Sequence, residues 1–281
     1  MDRLESHRQW YARLITAAAG AQAHDRLREA FASIPRERFT GPGPWRVFTR
    51  SGYIETPTDD PALLYQDIVV ALKSEAQINN GQPSLHAVCL AALGVREGET
   101  IVHVGAGTGY YSAILAKLAG PAGRVFAYEI DEALAGRAAR NLEGQPGVEV
   151  RHRSGVEGAL PACDVVYVNA GATGPQPAWI DALRPGGRLM FPLTPSVGGG
   201  FMLLVTRTTT GGLAARFVCG VMFTPCIGAR DEETGQRLAQ AFARGGMGEV
   251  RSLRMAATGA SPDGTCWLDG RGWWLSTSEA E

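Results

Sequence analysis

A glycine-rich turn between a predicted strand and a predicted helix constrains this chain more than any other feature. Residues 102–110 read VHVGAGTGY and run from an apolar segment into an apolar helical one. Glycines at alternate positions let the backbone turn tightly and approach a ligand without a Cβ clash. N–H groups at the start of the following helix suit a polar or anionic ligand group. The spacing is GxGxG rather than GxGxxG, which disfavours a dinucleotide pyrophosphate.

An acidic residue ends the next predicted strand. That strand covers Arg124 to Glu129, and a carboxylate at its end can accept hydrogen bonds from both hydroxyls of a ribose. Asp131 follows and can cap a helix that carries Leu134, Ala138 and Leu142 on one side. The order of strand, glycine loop, helix, strand and acid therefore predicts a site for a nucleoside-containing cofactor.

Strands and helices alternate after residue 100, which predicts an α/β sheet with helices on both faces. The expected strands are Thr100–Val104, Arg124–Glu129, Val148–His152, Val165–Asn169 and Arg188–Pro192. The segments Phe201–Thr206 and Ala214–Val221 flank a Thr-Gly-Gly turn and predict an antiparallel hairpin at one edge.

The remaining segments predict additions to this core. Residues 1 to about 40 have helical spacing, residues 41–60 are interrupted by Gly and Pro and are expected to be irregular, and a helix is expected over Pro83 to Leu93. The tail predicts a helix, a strand and a small β-ribbon. We expect three segments: N-terminal helices with a substrate lid over 1–98, a cofactor-binding core over 99–224, and an α+β extension over 225–281.

Charge and cysteine content exclude several classes of protein. The formal net charge is -1, so no general electrostatic attraction to nucleic acid or anionic membrane is expected. The five cysteines are odd in number and form no CxxC, so neither a disulfide framework nor a metal site is predicted. No apolar run approaches the roughly 18 residues that cross a bilayer, and the charged N-terminus does not resemble a signal peptide. We expect a cytoplasmic protein; its oligomeric state is open.

Several motifs occur together in an order that resembles one family. The glycine loop, Glu129 and residues 183–189 (LRPGGRL) resemble class I S-adenosylmethionine-dependent methyltransferases. The ordered set resembles the protein-L-isoaspartate O-methyltransferases more specifically. Its further members are 34–39 (IPRERF), 65–67 (YQD), 82–87 (QPSLHA) and 164–172 (DVVYVNAGA). The resemblance covers about residue 28 to about 220, and the tail beyond 225 matches no known pattern.

The resemblance implies a fold, a cofactor and a reaction. The fold is a Rossmann-like, seven-stranded methyltransferase sheet, with a helical N-terminal extension and a small α+β C-terminal addition. The cofactor is S-adenosylmethionine, which leaves as S-adenosylhomocysteine. The reaction is carboxyl O-methylation of a peptide or protein at isoaspartyl-type sites. The implied cofactor-binding residues are His103, Gly105, Ala106, Gly107, Thr108, Gly109, Tyr110, Glu129, Ile130, Ser154, Gly155, Val156 and Asn169.

These cofactor-binding residues divide by the part of the cofactor that each is expected to contact. The glycines would contact the methionine part and Glu129 the ribose. Ser154 and Gly155 would lie beside the adenine, with Val156 or Ile130 on its face. His103 stands where the family usually has an acid, and Ser154 stands where it usually has an aspartate.

Residues 78–86 would form a lid over the methyl group. The family reads Thr-Ile-Ser where this protein has Asn79-Asn80-Gly81, so the lid hydroxyl is absent. Asn79 and Asn80 are candidates to hold a substrate carboxylate through amide donors, although Asn-Gly also favours a tight turn. His86 and Asp67 are candidate bases, the alternatives being a packed helix residue and a capping carboxylate. Together with Gly81 these are the predicted catalytic residues.

The acceptor is the open point. A carboxylate is already ionised at neutral pH, so its methylation needs positioning and desolvation more than a base, whereas a hydroxyl or amine acceptor needs one. The main alternative is a methyltransferase of the same fold acting on a modified peptide or small metabolite, which the missing serine and the unmatched tail favour. A non-catalytic cofactor-binding descendant is a further alternative. A nicotinamide-dependent oxidoreductase is disfavoured by the loop spacing, and RNA methylation by the charge balance, which indicates no obvious basic surface.

Overall fold

The computed structural model describes residues 2–256 and 261–280. The helices in these residues are α1 (Arg3–Ala18), α2 (Asp25–Ser33), α3 (Glu37–Thr40), α4 (Pro83–Leu93), α5 (Tyr110–Ala119), α6 (Glu132–Asn141), α7 (Pro177–Asp181) and α8 (Glu232–Arg244). The strands are β1 (Arg46–Thr49), β2 (Gly52–Glu55), β3 (Ala71–Lys73), β4 (Ile78–Asn79), β5 (Thr100–Val104), β6 (Arg124–Glu129), β7 (Val148–His152), β8 (Cys163–Val168), β9 (Leu183–Leu193), β10 (Gly200–Arg207), β11 (Leu213–Val221), β12 (Ser252–Met255), β13 (Cys266–Asp269) and β14 (Trp273–Ser276).

The protein divides into two compact units. The first comprises Met1–Glu99 with Gly105–Arg153, and the second comprises Thr100–Val104 with Ser154–Glu281. The three-segment division expected from the sequence follows the order of residues rather than spatial contacts, and it stays a prediction.

The first unit contains α1 to α6, the parallel pair β6–β7, the hairpin β1–β2 and the ribbon β3–β4. Helix α1 packs on α2 and α4 through one face, on which Tyr11, Ala12 and Ile15 are fully buried. Helix α4 has the predicted bounds because Pro83 suits its first turn and Gly94 ends it in a left-handed conformation. Asp131 caps α6 as predicted, accepting the Leu134 N–H at 3.0 Å.

The expectation that residues 41–60 are irregular was wrong. Strands β1 and β2 form an antiparallel hairpin in which Thr49 pairs with Gly52, and the glycine takes a φ of 108° in the turn. The preceding Trp45 is buried with Leu64 and Val70, which anchors the hairpin to the core. The Gly and Pro residues lie mainly outside the four-residue strands, so they end the hairpin rather than preclude it.

The second unit contains a mixed array of strands in the order β13-β14-β12-β11-β10-β9-β8-β5. The β5–β8 and β8–β9 pairs are parallel and the other pairs are antiparallel. The α/β fold, the β10–β11 hairpin and the tail ribbon β13–β14 are confirmed. The tail strands extend the array beyond β11, where Ala214 pairs with Ser252. Among the described residues, no helix combines the length and apolar character needed to cross a membrane.

Candidate active site

The glycine loop that follows β5 takes a backbone course that only glycines adopt freely. The φ angles are 75° at Gly105, 57° at Gly107 and 95° at Gly109. A β-carbon at Gly109 would lie 2.7 Å from the Leu142 side chain, so the start of α5 also needs a glycine for space. The N–H groups of Gly105 and Ala106 donate to the Tyr128 carbonyl at 2.9 and 3.0 Å, which joins the loop to β6.

Glu129 ends β6 with its carboxylate turned toward this loop. One carboxylate oxygen accepts the Gly107 N–H at 2.7 Å and the other accepts the Asp131 N–H at 3.0 Å. The side chain is 7% exposed, and burial raises its pKa above the usual range although the backbone hydrogen bonds oppose that shift. Within the described residues no cation lies within salt-bridge distance of this carboxylate. A buried acid held only by backbone donors keeps lone pairs free for a neutral diol.

These features fit the adenosyl cofactor that the sequence implies. Besides the glycine cradle and Glu129, the loop holds the Thr108 hydroxyl, which is fully buried and has no hydrogen-bond partner in the described part of the protein. Ile130, predicted to pack on the adenine, is 44% exposed next to Glu129.

The β3–β4 ribbon lies against the glycine loop. The Leu72 methyl group is 3.3 Å from where a β-carbon of Gly107 would be. Lys73 forms an ion pair with Asp131 at 2.5 Å, two residues after Glu129. Sequence reasoning missed both contacts, because nothing in the spacing of residues 72 and 73 signals a partner more than thirty positions away.

The predicted lid residues form a tight turn at the end of this ribbon. The side-chain oxygen of Asn79 accepts the Gly81 N–H at 2.9 Å, and the Asn80 backbone N–H donates to the Val70 carbonyl at 2.8 Å. Asn79 is therefore engaged in the turn. Asn80 is 6% exposed, and its side-chain amide nitrogen has no acceptor among the described residues.

His86 lies beneath this turn on α4. It is 1% exposed and stacks on the Tyr111 ring with a centroid distance of 3.5 Å and an interplanar angle of 14°. Gly81 has a φ of 66°, and a β-carbon there would overlap the His86 Nε2 atom. The imidazole thus supports the lid turn directly.

Asp67 joins the lid to α4 as a cap. Its carboxylate accepts the Ser84 N–H at 2.9 Å, the Ser84 hydroxyl at 2.6 Å and the Gln82 side-chain amide at 2.9 Å. These three donors occupy the carboxylate, which favours the capping alternative over a base.

Arg36 fixes the segment that carries Asp67. It is fully buried, and its guanidinium donates to the carbonyls of Leu64 at 2.7 Å, Gln66 at 3.1 Å and Ile68 at 2.5 Å. The sequence pattern IPRERF includes this arginine but gives no sign of its role. Three backbone carbonyls held by one side chain keep residues 64–68 in a single conformation.

In the second unit His103 lies on β5 with no exposed surface. Its Nε2 atom is 2.8 Å from the Asn169 side-chain nitrogen, so the amide donates and the imidazole accepts. Burial lowers the pKa of His103 to about 3, which keeps it neutral at physiological pH. The side-chain oxygen of Asn169 is buried and has no partner among the described residues. Asn169, one of the predicted cofactor-binding residues, therefore has a hydrogen-bond acceptor that the described residues do not use.

The predicted adenine-contacting residues lie in the same unit after β7. The Ser154 hydroxyl accepts the Val156 N–H at 3.2 Å, and the Gly155 carbonyl accepts the indole N–H of the buried Trp179 at 2.8 Å. A β-carbon at Gly155 would lie 2.7 Å from the Val104 side chain, so a glycine is required beside β5. Gly228, which the sequence analysis did not single out, lies against Val156.

The structure thus brings the predicted residues together in two sets. The first unit holds the glycine loop, Glu129, Ile130 and all five predicted catalytic residues. The second holds His103, Ser154, Gly155, Val156 and Asn169. The first set thus places the glycine loop and Glu129 in the same unit as the turn at residues 79–81.

Comparisons with known proteins agree with this site. The family model for protein-L-isoaspartate(D-aspartate) O-methyltransferase matches residues 12–231. A protein-L-isoaspartate O-methyltransferase of Brucella anthropi is 30% identical over 210 residues, which are 73% of this chain and 87% of that protein. The Pyrobaculum neutrophilum enzyme of the same name is 32% identical over 213 residues, 73% of this chain and 92% of its own length.

Solved structures show the same fold. A protein-L-isoaspartate O-methyltransferase has a TM-score of 0.65 at 22% identity, over 87% of this chain and 72% of its own. A beta-aspartate methyltransferase from Plasmodium falciparum, in complex with S-adenosyl-L-homocysteine, has a TM-score of 0.60 at 16% identity, over 78% of this chain and 97% of its own. The chain belongs to the protein-L-isoaspartate O-methyltransferase family, whose enzymes are S-adenosylmethionine-dependent O-methyltransferases.

Proposed function

We propose that this S-adenosylmethionine-dependent O-methyltransferase esterifies a carboxylate of an isoaspartyl residue in a peptide or protein. The observation that carries the proposal is the contact of the β3–β4 ribbon with the glycine loop at Leu72 and Gly107. The same ribbon leads directly into the turn at Asn80. The ribbon therefore connects the residue proposed to hold the acceptor with the loop proposed to hold the cofactor.

The cofactor, when bound, supplies a sulfonium methyl group that is already a good electrophile. The residues of this protein bind and orient it. Glu129 would accept the ribose hydroxyls, and the backbone of Gly105, Gly107 and Gly109 would admit the methionine part. By the family resemblance, Ser154, Gly155 and Val156 would line the adenine, and the Asn169 side-chain oxygen would accept from a donor of the cofactor.

The acceptor side needs a hydrogen-bond donor rather than a base. The Asn80 amide nitrogen is buried and has no acceptor among the described residues, so we assign it to hold one carboxylate oxygen while the other attacks. Asp67 and His86 position this turn through α4. No proton has to be removed from an ionised carboxylate, which agrees with an Asp67 that is fully occupied as a cap.

The lid serine of the family is replaced by Gly81, and the amide of Asn80 takes over the polar role in this proposal. An ionised carboxylate strengthens any hydrogen bond that it accepts, so an amide N–H can replace a serine hydroxyl as its donor. The exchange of the serine for Gly81 therefore changes the group that donates the hydrogen bond to the acceptor, and the methyl-transfer activity is retained.

The test is the chemical nature of the methylated product. Labelled S-adenosylmethionine is incubated with an isoaspartyl peptide, and the product is treated with mild base. Release of the label as methanol identifies a carboxyl ester and supports the proposal. Label that resists base would identify another acceptor atom, and no transfer by protein that binds S-adenosylhomocysteine would reject the isoaspartyl acceptor in favour of a different acceptor or a non-catalytic descendant.

A further inference from the structure

A cavity of about 350 Å³ opens in the first unit beside the β3–β4 ribbon. Its walls are drawn from residues 40–46 before and within β1, residues 71–75 on and after β3, and Arg137 on α6. This volume is in the range of small-ligand sites in proteins. None of the residues assigned above to cofactor or acceptor lines it.

The cavity is basic. Arg46, Lys73 and Arg137 line it, and Glu75 is the acid among the lining residues. Lys73 is neutralised by its ion pair with Asp131 at 2.5 Å. The other charged residues that line the cavity are two arginines and one glutamate, so its net charge is positive.

Neither arginine has a carboxylate partner within 4.0 Å in the described part of the protein. Arg137 donates one long hydrogen bond of 3.5 Å to the Leu72 carbonyl. Arg46 donates to the Ser74 hydroxyl at 2.8 Å and lies over the Tyr53 ring at 5.5 Å. Both guanidinium groups thus have N–H donors that the hydrogen bonds above do not use. The paired N–H groups of an arginine can donate to both oxygens of one carboxylate.

Gly41 lies close to Arg137 in the wall of this cavity. Gly41 has a φ of 79°, and a β-carbon there would lie 3.0 Å from an Arg137 side-chain nitrogen. The Gly41 carbonyl accepts the Trp45 indole N–H at 2.9 Å, and Trp45 is itself buried in the core. Burial lowers the pKa of Arg137, which is the mark of a cation that is partly removed from water. An anion entering here would meet a charge that is partly removed from water.

The cavity is connected to the proposed acceptor site through one strand pair. Ala71 lines the cavity and pairs with Asn79 across the ribbon. Neighbouring strands are about 4.8 Å apart and an extended peptide rises about 3.3 Å per residue. A peptide with its acceptor residue at Asn80 therefore reaches the cavity within about two to four residues.

We propose that this cavity is a specificity subsite that binds a carboxylate of the acceptor polypeptide through Arg137 and Arg46. The carboxylate belongs to an acidic side group or to the carboxyl terminus of that polypeptide, a few residues from the methylated position. The proposal rests on the proposed function, because it takes the acceptor to be a polypeptide.

The direct test is peptide binding that does not depend on turnover. A fluorescent peptide with an ordinary aspartyl residue and a glutamate three residues away is compared with its glutamine counterpart by anisotropy. The wild type is expected to bind the glutamate peptide about fivefold more tightly, as for a partly exposed charge pair. Arg137→Gln is expected to remove that preference and Glu75→Gln to increase it. A third peptide with glutamine and an amidated C-terminus separates the two sources of carboxylate.

Arg140→Gln is the matched control, because Arg140 lies on the same helix but does not line the cavity. Equal binding of the charged and amidated neutral peptides to the wild type would overturn the proposal, as would equal effects of the variants at 137 and 140. The same peptides in isoaspartyl form give KM and kcat. Turnover without any charge preference would reject the subsite and leave the proposed function intact. Charge-selective binding without turnover would support the subsite and reject the proposed function.

Discussion

Gly81 and His86 are packed so closely that no side chain fits at position 81. The glycine has a φ of 66°, and a β-carbon would overlap the imidazole nitrogen Nε2. His86 cannot retreat easily, because its ring is stacked on Tyr111 and 1% exposed. The turn at residues 79–81 is therefore built around a glycine, and the serine of the family does not fit there by a simple exchange.

Gly81→Ser is expected to lower the free energy of unfolding by about 2 kcal/mol, from backbone strain and the collision with His86. Gly94→Ser is the control, since Gly94 has a φ of 57° and no atom near its β-position. It isolates the backbone cost, expected at about 1 kcal/mol. Chemical denaturation measures both. In a His86→Ala background, Gly81→Ser should lower the free energy of unfolding by less than it does in the wild type. Equal stability of Gly81→Ser and the wild type would contradict the packing argument.

Asp67→Asn tests whether this residue is a cap or a base. Loss of the charged cap on α4 is expected to cost about 1 kcal/mol of stability and to lower kcat/KM by displacing the lid. The pH dependence of kcat should keep its shape, because no proton transfer is assigned to Asp67. Asp231→Asn removes a cap of the same type from α8 and should leave kcat/KM unchanged. A pH–rate limb that disappears in Asp67→Asn would instead identify a base.

Glu129→Gln tests the ribose assignment. Loss of the charged acceptor is expected to raise the Kd for S-adenosylhomocysteine about 10- to 100-fold by calorimetry. Because burial raises the pKa of Glu129, protonation should weaken binding at a higher pH than for an ordinary glutamate. The affinity of the wild type should therefore fall as the pH is lowered, and that of the variant should stay flat. Glu132→Gln, an exposed neighbour at the start of α6, is the control. Unchanged affinity in Glu129→Gln would exclude this residue from the site.

The fold was largely predictable where the signal is local. Helix α4 has its predicted bounds because a proline and a glycine mark its two ends. The glycine loop was predictable because a positive φ at alternate positions requires that residue. The β1–β2 hairpin was missed because its anchor, Trp45 packed on Leu64 and Val70, is a tertiary contact.

The site was less predictable than the fold. The order of motifs indicated Glu129 and the turn at residues 79–81 as candidates, and the residue types left the role of Asp67 open between a base and a cap. The buried state of His103, the collision of Gly81 with His86 and the contact of Leu72 with Gly107 depend on three-dimensional packing. None of these relationships has a sequence spacing that a helix or strand period would reveal.

His103 gives the protein a defined acid sensitivity. Its folded pKa is about 3 and its reference value is 6.5, so the unfolded state binds the proton more readily. The contribution of the neutral imidazole is present above pH 6.5 and is lost as the pH falls toward 3. The free energy of unfolding should fall by about 2 kcal/mol between pH 6.5 and 5 from this residue. His103→Gln, which keeps an acceptor for Asn169, should remove that component, whereas the exposed control His152→Gln should keep it. Parallel pH profiles for wild type and His103→Gln would contradict this account.

The central claim is that the protein methylates an isoaspartyl carboxylate with a glycine in place of the lid serine. The most direct measurement is kcat/KM for an isoaspartyl peptide and for its aspartyl isomer, with Glu129→Gln as the cofactor-deficient control. We expect a preference of about 100-fold or more for the isoaspartyl peptide, because a positioned carboxylate is required for transfer. Equal turnover of the two isomers, or no turnover by protein that binds S-adenosylhomocysteine, would contradict it.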